Sequence, residues 1–181
     1  MDRYEFKQKV IDYAHSIGID EIGFTHAEPF VEYKAKLIDY LDKGFASGFE
    51  KGSVEERTNP KASLPNAQSI IAIAVGYPNK LPDAPKGRKG SRRGIFARAS
   101  WGMDYHTLLN KRLNKLEEYI KSLNSEIETK SMVDTGVLSD REVARRSGLG
   151  FIGKNGFVIN PNVGTYSYLG EMIVSYPFPP D

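Results

Sequence analysis

Four short segments bring together side chains of the types that do chemistry. The first is Ser147-Gly-Leu-Gly-Phe-Ile-Gly-Lys-Asn155, with glycines at 148, 150 and 153 ahead of Lys154. Such a run invites comparison with a phosphate loop, but a dinucleotide fingerprint lies between a strand and a helix. Here the glycines follow a helical pattern and precede a strand-like one. A helix cap and tight turn account for Gly148 and Gly150, whereas Gly153 to Gly156 suit a backbone lying close to a bulky ligand. The second segment is Val133-Asp134-Thr-Gly, an aspartate at the end of an apolar stretch. A strand end is where a scaffold presents a catalytic acid, and an Asx-turn explains the same pattern. The third is Trp101-Gly-Met-Asp-Tyr-His106, in which Asp104 suits a helix N-cap and His106 a proton donor, a metal ligand or a plain polar residue. The fourth is the acid-free basic run Lys86, Arg88, Lys89, Arg92 and Arg93, suited to phosphate or simply to solvent.

Hydrophobic spacing then predicts the elements that position these groups. Phe6, Val10, Ala14 and Ile17 predict a helix over 4–17, stopped by Gly18. Residues 19–25 read as a strand, and Pro29 opens a helix carrying Phe30, Tyr33, Leu37 and Leu41. Residues 44–66 read as a long ordered loop. The unalternating Ile70 to Val75 predicts a strand buried on both faces. Residues 78–94 read as a functional loop. The stripe Tyr105, Leu109, Leu113, Leu116, Ile120 and Leu123 predicts the longest helix, and 127–133 a strand. Ser139-Asp-Arg-Glu142 has the form of a capping box before a short helix. Residues 156–160 and 165–175 read as a hairpin closed by Pro161 to Gly164. The mixture predicts an α+β fold: a mixed, largely antiparallel central sheet flanked by helices, in one domain over 1–181.

Composition narrows the classes. The 181 residues are 40% apolar and 27% charged, enough for one buried core. The longest apolar run is short of the ~20 residues that span a membrane. The N-terminus carries no secretory pattern, so the cytoplasm is the expected compartment. The absence of cysteine excludes disulfides, thiolate catalysis and cysteine-held clusters within this chain. With three scattered histidines, no dedicated zinc site is expected, and no metal ligand is assigned. Charge is uneven: residues 1–60 are net −4 and residues 61–181 net +6, which favours an anionic ligand on the C-terminal two-thirds.

In order and spacing, Glu56-Arg-Thr-Asn-Pro60, Phe96 to His106, Val133 to Glu142, Gly148 to Asn155, Asn160-Pro and Tyr168-Leu-Gly-Glu171 resemble the epoxyqueuosine reductase family. The resemblance covers essentially the whole chain and is similar to that family's N-terminal domain. It implies a flavin-nitroreductase-like α+β fold that binds cobalamin and removes the epoxide oxygen of epoxyqueuosine in the anticodon loop of tRNA. It implies Asp134 as the acid, its protonated form favoured by burial beside the corrin. It implies cofactor contacts from Arg57, Ala97, Arg98, Asp134, Arg141, Lys154, Asn155, Val158 and Leu169. Ala97 departs from relatives with cysteine near that position. Four-iron clusters would lie in a further module absent from this chain, so electrons would come from that module or an external donor. The expected partner is tRNA, contacted by the basic run, and the expected state is a monomeric piece of a longer protein. The residues also admit another cobalamin- or flavin-dependent oxidoreductase on this scaffold, or a non-catalytic corrinoid- or RNA-binding module.

Overall fold

The computed structural model describes residues 2–77, 80 and 87–181. In chain order the elements are α1 (Arg3–Ser16), β1 (Glu21–His26), α2 (Val31–Asp42), α3 (Val54–Thr58), β2 (Ser69–Gly76), α4 (Tyr105–Leu123), β3 (Thr129–Met132), α5 (Asp140–Arg146), β4 (Phe151–Ile152), β5 (Val158–Ile159) and β6 (Ser167–Val174). Four strands form one sheet in the order β1-β2-β6-β3, and every pairing is antiparallel. β4 and β5 form a separate two-stranded ribbon.

The period-two geometry of β2 explains why its sequence shows no alternation. Ile71, Ile73 and Val75 point into one core with Phe6 and Val10 of α1 and Leu109, Leu113, Leu116 and Ile120 of α4. Ile70, Ala72 and Ala74 point the other way, into a second core with Phe30, Met132, Val143, Ala144 and Leu149. Both faces are covered, so a continuous apolar run is what the position demands. The result is three layers, with α1 and α4 on one face and α5 on the other. Gly23 of β1 lets α5 come close, because a Cβ there would stand 2.2 Å from the Ser147 carbonyl oxygen.

Local chemistry sets the element ends. Asp104 caps α4, its Oδ1 accepting from the His106 N–H at 2.7 Å. Gly148, at φ 75°, follows α5 in the left-handed conformation that ends helices.

Three local expectations are corrected. The stretch 44–66 is not all loop: α3 lies within it, started by a reciprocal capping box between Ser53 and Glu56. The Ser139 box does not form, because the Glu142 carboxylate instead accepts from Arg145 Nε at 2.9 Å. The segments flanking Pro161 to Gly164 do not pair as one hairpin. The turn closes on itself through Asn160 and Gly164, while β5 pairs with β4 and β6 enters the main sheet. The physical reason is burial. Residues 170–174 are buried on both faces, and only a position between β2 and β3 offers that.

Candidate active site

The chain leaves β3 at Met132 and turns sharply. The Thr135 N–H donates to the Val133 carbonyl at 2.5 Å, and Asp134 between them sits at φ 55°. It is the only non-glycine residue at positive φ among those described. Aspartate tolerates this conformation better than most residues, and such outliers gather where function over-determines geometry. The turn delivers the Asp134 carboxylate to the first turn of α4. There the Tyr105 hydroxyl donates to Asp134 Oδ2 at 2.5 Å, and His106 Nε2 lies 3.8 Å from the same oxygen. His106 Nδ1 stands 3.1 Å from Asp104 Oδ1, so the imidazole lies between two carboxylates. The His106 backbone N–H holds Asp104 below the ordinary carboxylate range. Burial pushes the Tyr105 phenol well above its ordinary value, and the hydrogen bond and charge of Asp134 push it further. Tyr105 is therefore a donor to Asp134 at any physiological pH.

Tyr105 and Asp134 open onto a cavity of about 470 Å³ whose walls include Tyr33, Tyr77, Leu138, Phe157, Tyr168 and Leu169. Arg57, Arg141, Asp134 and Asp140 supply its charges, and among the described residues neither arginine is in an ion pair. Arg57 donates to the Tyr33 hydroxyl at 3.4 Å, and Arg141 to the Gly156 carbonyl at 2.9 Å. The second bond ties the cavity rim to the β4–β5 ribbon. Behind one wall the rings of Tyr105 and Tyr168 stack at 4.9 Å, and Tyr77 packs on Tyr168 at 4.6 Å. Tyr77 in turn meets Tyr166, over which the Arg98 guanidinium sits at 4.9 Å.

The structure thus brings Arg57, Asp134, Arg141 and Leu169 together. Arg98 touches the tyrosine stack rather than the cavity. Ala97 and Lys154 are exposed. Asn155 accepts from the Phe157 N–H within the ribbon turn, and Val158 is packed in the second core. Gly153 and Gly156 have an internal explanation: they close the β4–β5 turn, with the Gly156 N–H donating to the Gly153 carbonyl. Arg88, Lys89, Arg92 and Arg93 are exposed on the loop leading to Ala99, a cavity-wall residue, and Lys86 lies outside the described residues. The sequence places Tyr105 in a buried stripe and gives no sign of Asp140, which the fold sets on the cavity wall.

Fold and cavity define a three-layer α+β domain that holds a carboxylate and a phenol at the lip of a broad, aromatic-walled cavity, with an imidazole beside the carboxylate. A family model described as "Epoxyqueuosine reductase QueG, DUF1730" matches residues 57–135. All 181 residues align at 64% identity with the epoxyqueuosine reductase of Staphylococcus aureus, covering 48% of that protein. The chain belongs to the epoxyqueuosine reductase family. A solved epoxyqueuosine reductase with a tRNA-Tyr epoxyqueuosine-modified stem loop superposes with a TM-score of 0.94 at 51% identity, over 99% of this chain and 48% of that one. The Bacillus subtilis enzyme, solved with its Asp134 catalytic loop swung out of the active site, gives 0.93 at 49% identity, over the same shares. The chain spans about half the length of the curated relatives it matches. Among the described residues no helix is long and apolar enough to cross a membrane.

Proposed function

We propose that this chain is the cobalamin-binding, acid-bearing part of an epoxyqueuosine reductase. It acts in the cytoplasm on the anticodon loop of tRNA, removing the epoxide oxygen to give queuosine. The flavin-nitroreductase-like character of the scaffold belongs to the same reading. The observation that carries it is the Asp134 carboxyl at the cavity lip, fixed by the Tyr105 hydroxyl at 2.5 Å.

The cavity suits a corrin in its chemistry. Flat aromatic and aliphatic faces from Tyr33, Phe157, Leu138 and Leu169 match an apolar macrocycle, and Arg57 and Arg141, in no ion pair among the described residues, match its polar amide and phosphate rim. Asp134, Arg57, Arg141 and Leu169 would touch the group directly. Ala97, Arg98, Lys154, Asn155 and Val158 belong to the segments around it. When bound, cobalamin supplies the low-potential electron chemistry that breaks the carbon–oxygen bond, its electrons coming from a four-iron module or a separate donor. The protein's part is protonic and geometric. Asp134 delivers a proton to the epoxide oxygen as that bond opens. Tyr105 and His106 hold the carboxyl in place. Lys86, Arg88, Lys89, Arg92 and Arg93 contact the RNA backbone.

Titration of the chain with cob(II)alamin, followed by its visible spectrum and thermal melting, tests the cofactor. Saturation at a hundredfold over Kd should stabilise the protein by about 2.7 kcal/mol. No spectral change and no stabilisation would remove cobalamin from the reading.

A further inference from the structure

Glu171 is the most deeply buried carboxylate among the described residues, at 1% exposure. It stands in the middle of β6, opposite Ala72 of β2 and Met132 of β3. It shares a strand face with Leu169, a cavity-wall residue two positions away. Among the described residues neither of its oxygens has a hydrogen-bond partner of ordinary geometry, and no lysine or arginine pairs with it. Such a site is costly for a carboxylate, and an apolar residue beside Ala72 and Met132 would suit the fold better. The titratable groups that face it are Asp140, from the first turn of α5, and Asp134, from the turn after β3. Asp140 lines the cavity alongside Asp134. Burial pushes Glu171 well above the ordinary carboxylate range, and the charge of Asp140 adds to this. Burial also raises Asp140, with the Asp134 charge adding and the contact with Glu171 opposing. That asymmetry describes a pair in which Glu171 keeps the proton and Asp140 accepts it.

The chemistry has a use for it. Converting an epoxide to an alkene consumes two electrons and two protons: both carbon–oxygen bonds break, a carbon–carbon double bond forms, and the oxygen leaves as water. Asp134 carries one proton to the oxygen. The second must reach a cavity that cofactor and RNA would cover. We propose that Glu171 and Asp140 store this second proton below the cavity and pass it through Asp140 to Asp134, which hands it to the departing hydroxide. The two electrons come singly from the low-potential iron–sulfur or external donor, and solvent reloads the pair between turnovers. The proposal rests on Asp134 being the acid.

The test uses the full-length, cofactor-loaded reductase with Glu171→Gln, Asp140→Asn and Asp134→Asn. Infrared difference spectra at about pH 8, where an ordinary carboxyl is ionised, should show one neutral-carboxyl band shared by the wild type and Asp134→Asn and missing from Glu171→Gln. Glu171→Gln should lower kcat by about a hundredfold, leave KM for tRNA unchanged, and lose more as pH rises and solvent protons become scarce. Three results would overturn the proposal: kcat within twofold of wild type at every pH, a loss that does not vary with pH, or survival in Glu171→Gln of the band shared by wild type and Asp134→Asn. If Glu171→Gln does not fold, Asp140→Asn decides the kinetics by the same criteria. Full turnover by Asp134→Asn would instead remove the acid assignment while leaving the buried-acid signal in place, so the two failures are distinguishable.

Discussion

Asp134→Asn separates the two roles open to this carboxylate. Asparagine keeps the left-handed turn and still accepts from Tyr105, so the fold should survive. The amide cannot deliver a proton, and loss of a positioned general acid costs about 10²–10⁴ in rate. Turnover by the full-length Asn variant at near-wild-type rate, with unchanged melting, would return Asp134 to a turn residue. Tyr105→Phe tests the positioning partner. It leaves the ring stack with Tyr168 intact and deletes only the donor, so kcat should fall by about tenfold, less than for Asp134→Asn, with tRNA KM unchanged. The aspartate was legible in sequence because an acid closing an apolar strand is conspicuous. Tyr105 was not, because its i, i+4 spacing with Leu109 reads as core. In the fold it sits on the first turn of α4, where its hydroxyl reaches past the packed stripe.

At the scale of elements, the β4–β5 ribbon couples the glycine-rich segment to the cavity. Gly150 has no room for a side chain: a Cβ would lie 2.3 Å from the Ile159 carbonyl oxygen. Gly150→Ala must push the strands apart, which should cost about 1–3 kcal/mol and lower the melting temperature by ~2–4 °C per kcal/mol. Phe157 on the cavity wall and the Arg141 bond to Gly156 would shift with the ribbon, so cobalamin affinity should fall as well. A calorimetric melt and a cofactor titration of the same variant check both, and unchanged values would break the link between ribbon and site. The spacing puts Gly150 in a helix cap and tight turn and keeps a close backbone approach for Gly153 to Gly156. That Gly150 instead lies against the partner strand depends on which strand β5 pairs with, and spacing carries no record of that choice.

For the whole molecule, buried charge and surface charge predict different responses to solvent. The folded-state pKa of Glu171 is raised above its unfolded value, so the folded form binds more protons than the unfolded chain at neutral pH. Its contribution to stability is fully present below the unfolded value and is lost as pH rises through the folded one. Stability of Glu171→Gln should therefore vary less between about pH 5 and pH 8 than that of wild type. Parallel urea melts check this, and equal slopes would count against a retained proton. On the surface, replacing Arg88, Lys89, Arg92 and Arg93 together by alanine should weaken tRNA binding and flatten its salt dependence, by about one unit of slope for each phosphate left without its cation. An unchanged slope would mean these side chains face only solvent. Sequence by itself determined the α+β class, both long helices, the doubly buried β2, the Asp104 cap, the place of Asp134 at the end of the β3 stretch and the family resemblance. These follow from local spacing and side-chain chemistry, which survive in one dimension. Tertiary structure alone decided that β6 leaves its expected hairpin for the sheet centre, that Tyr105 meets Asp134, and that Glu171 and Asp140 come together under the cavity. Those meetings join residues distant in sequence, and they are set by which faces must be buried at once rather than by any local pattern.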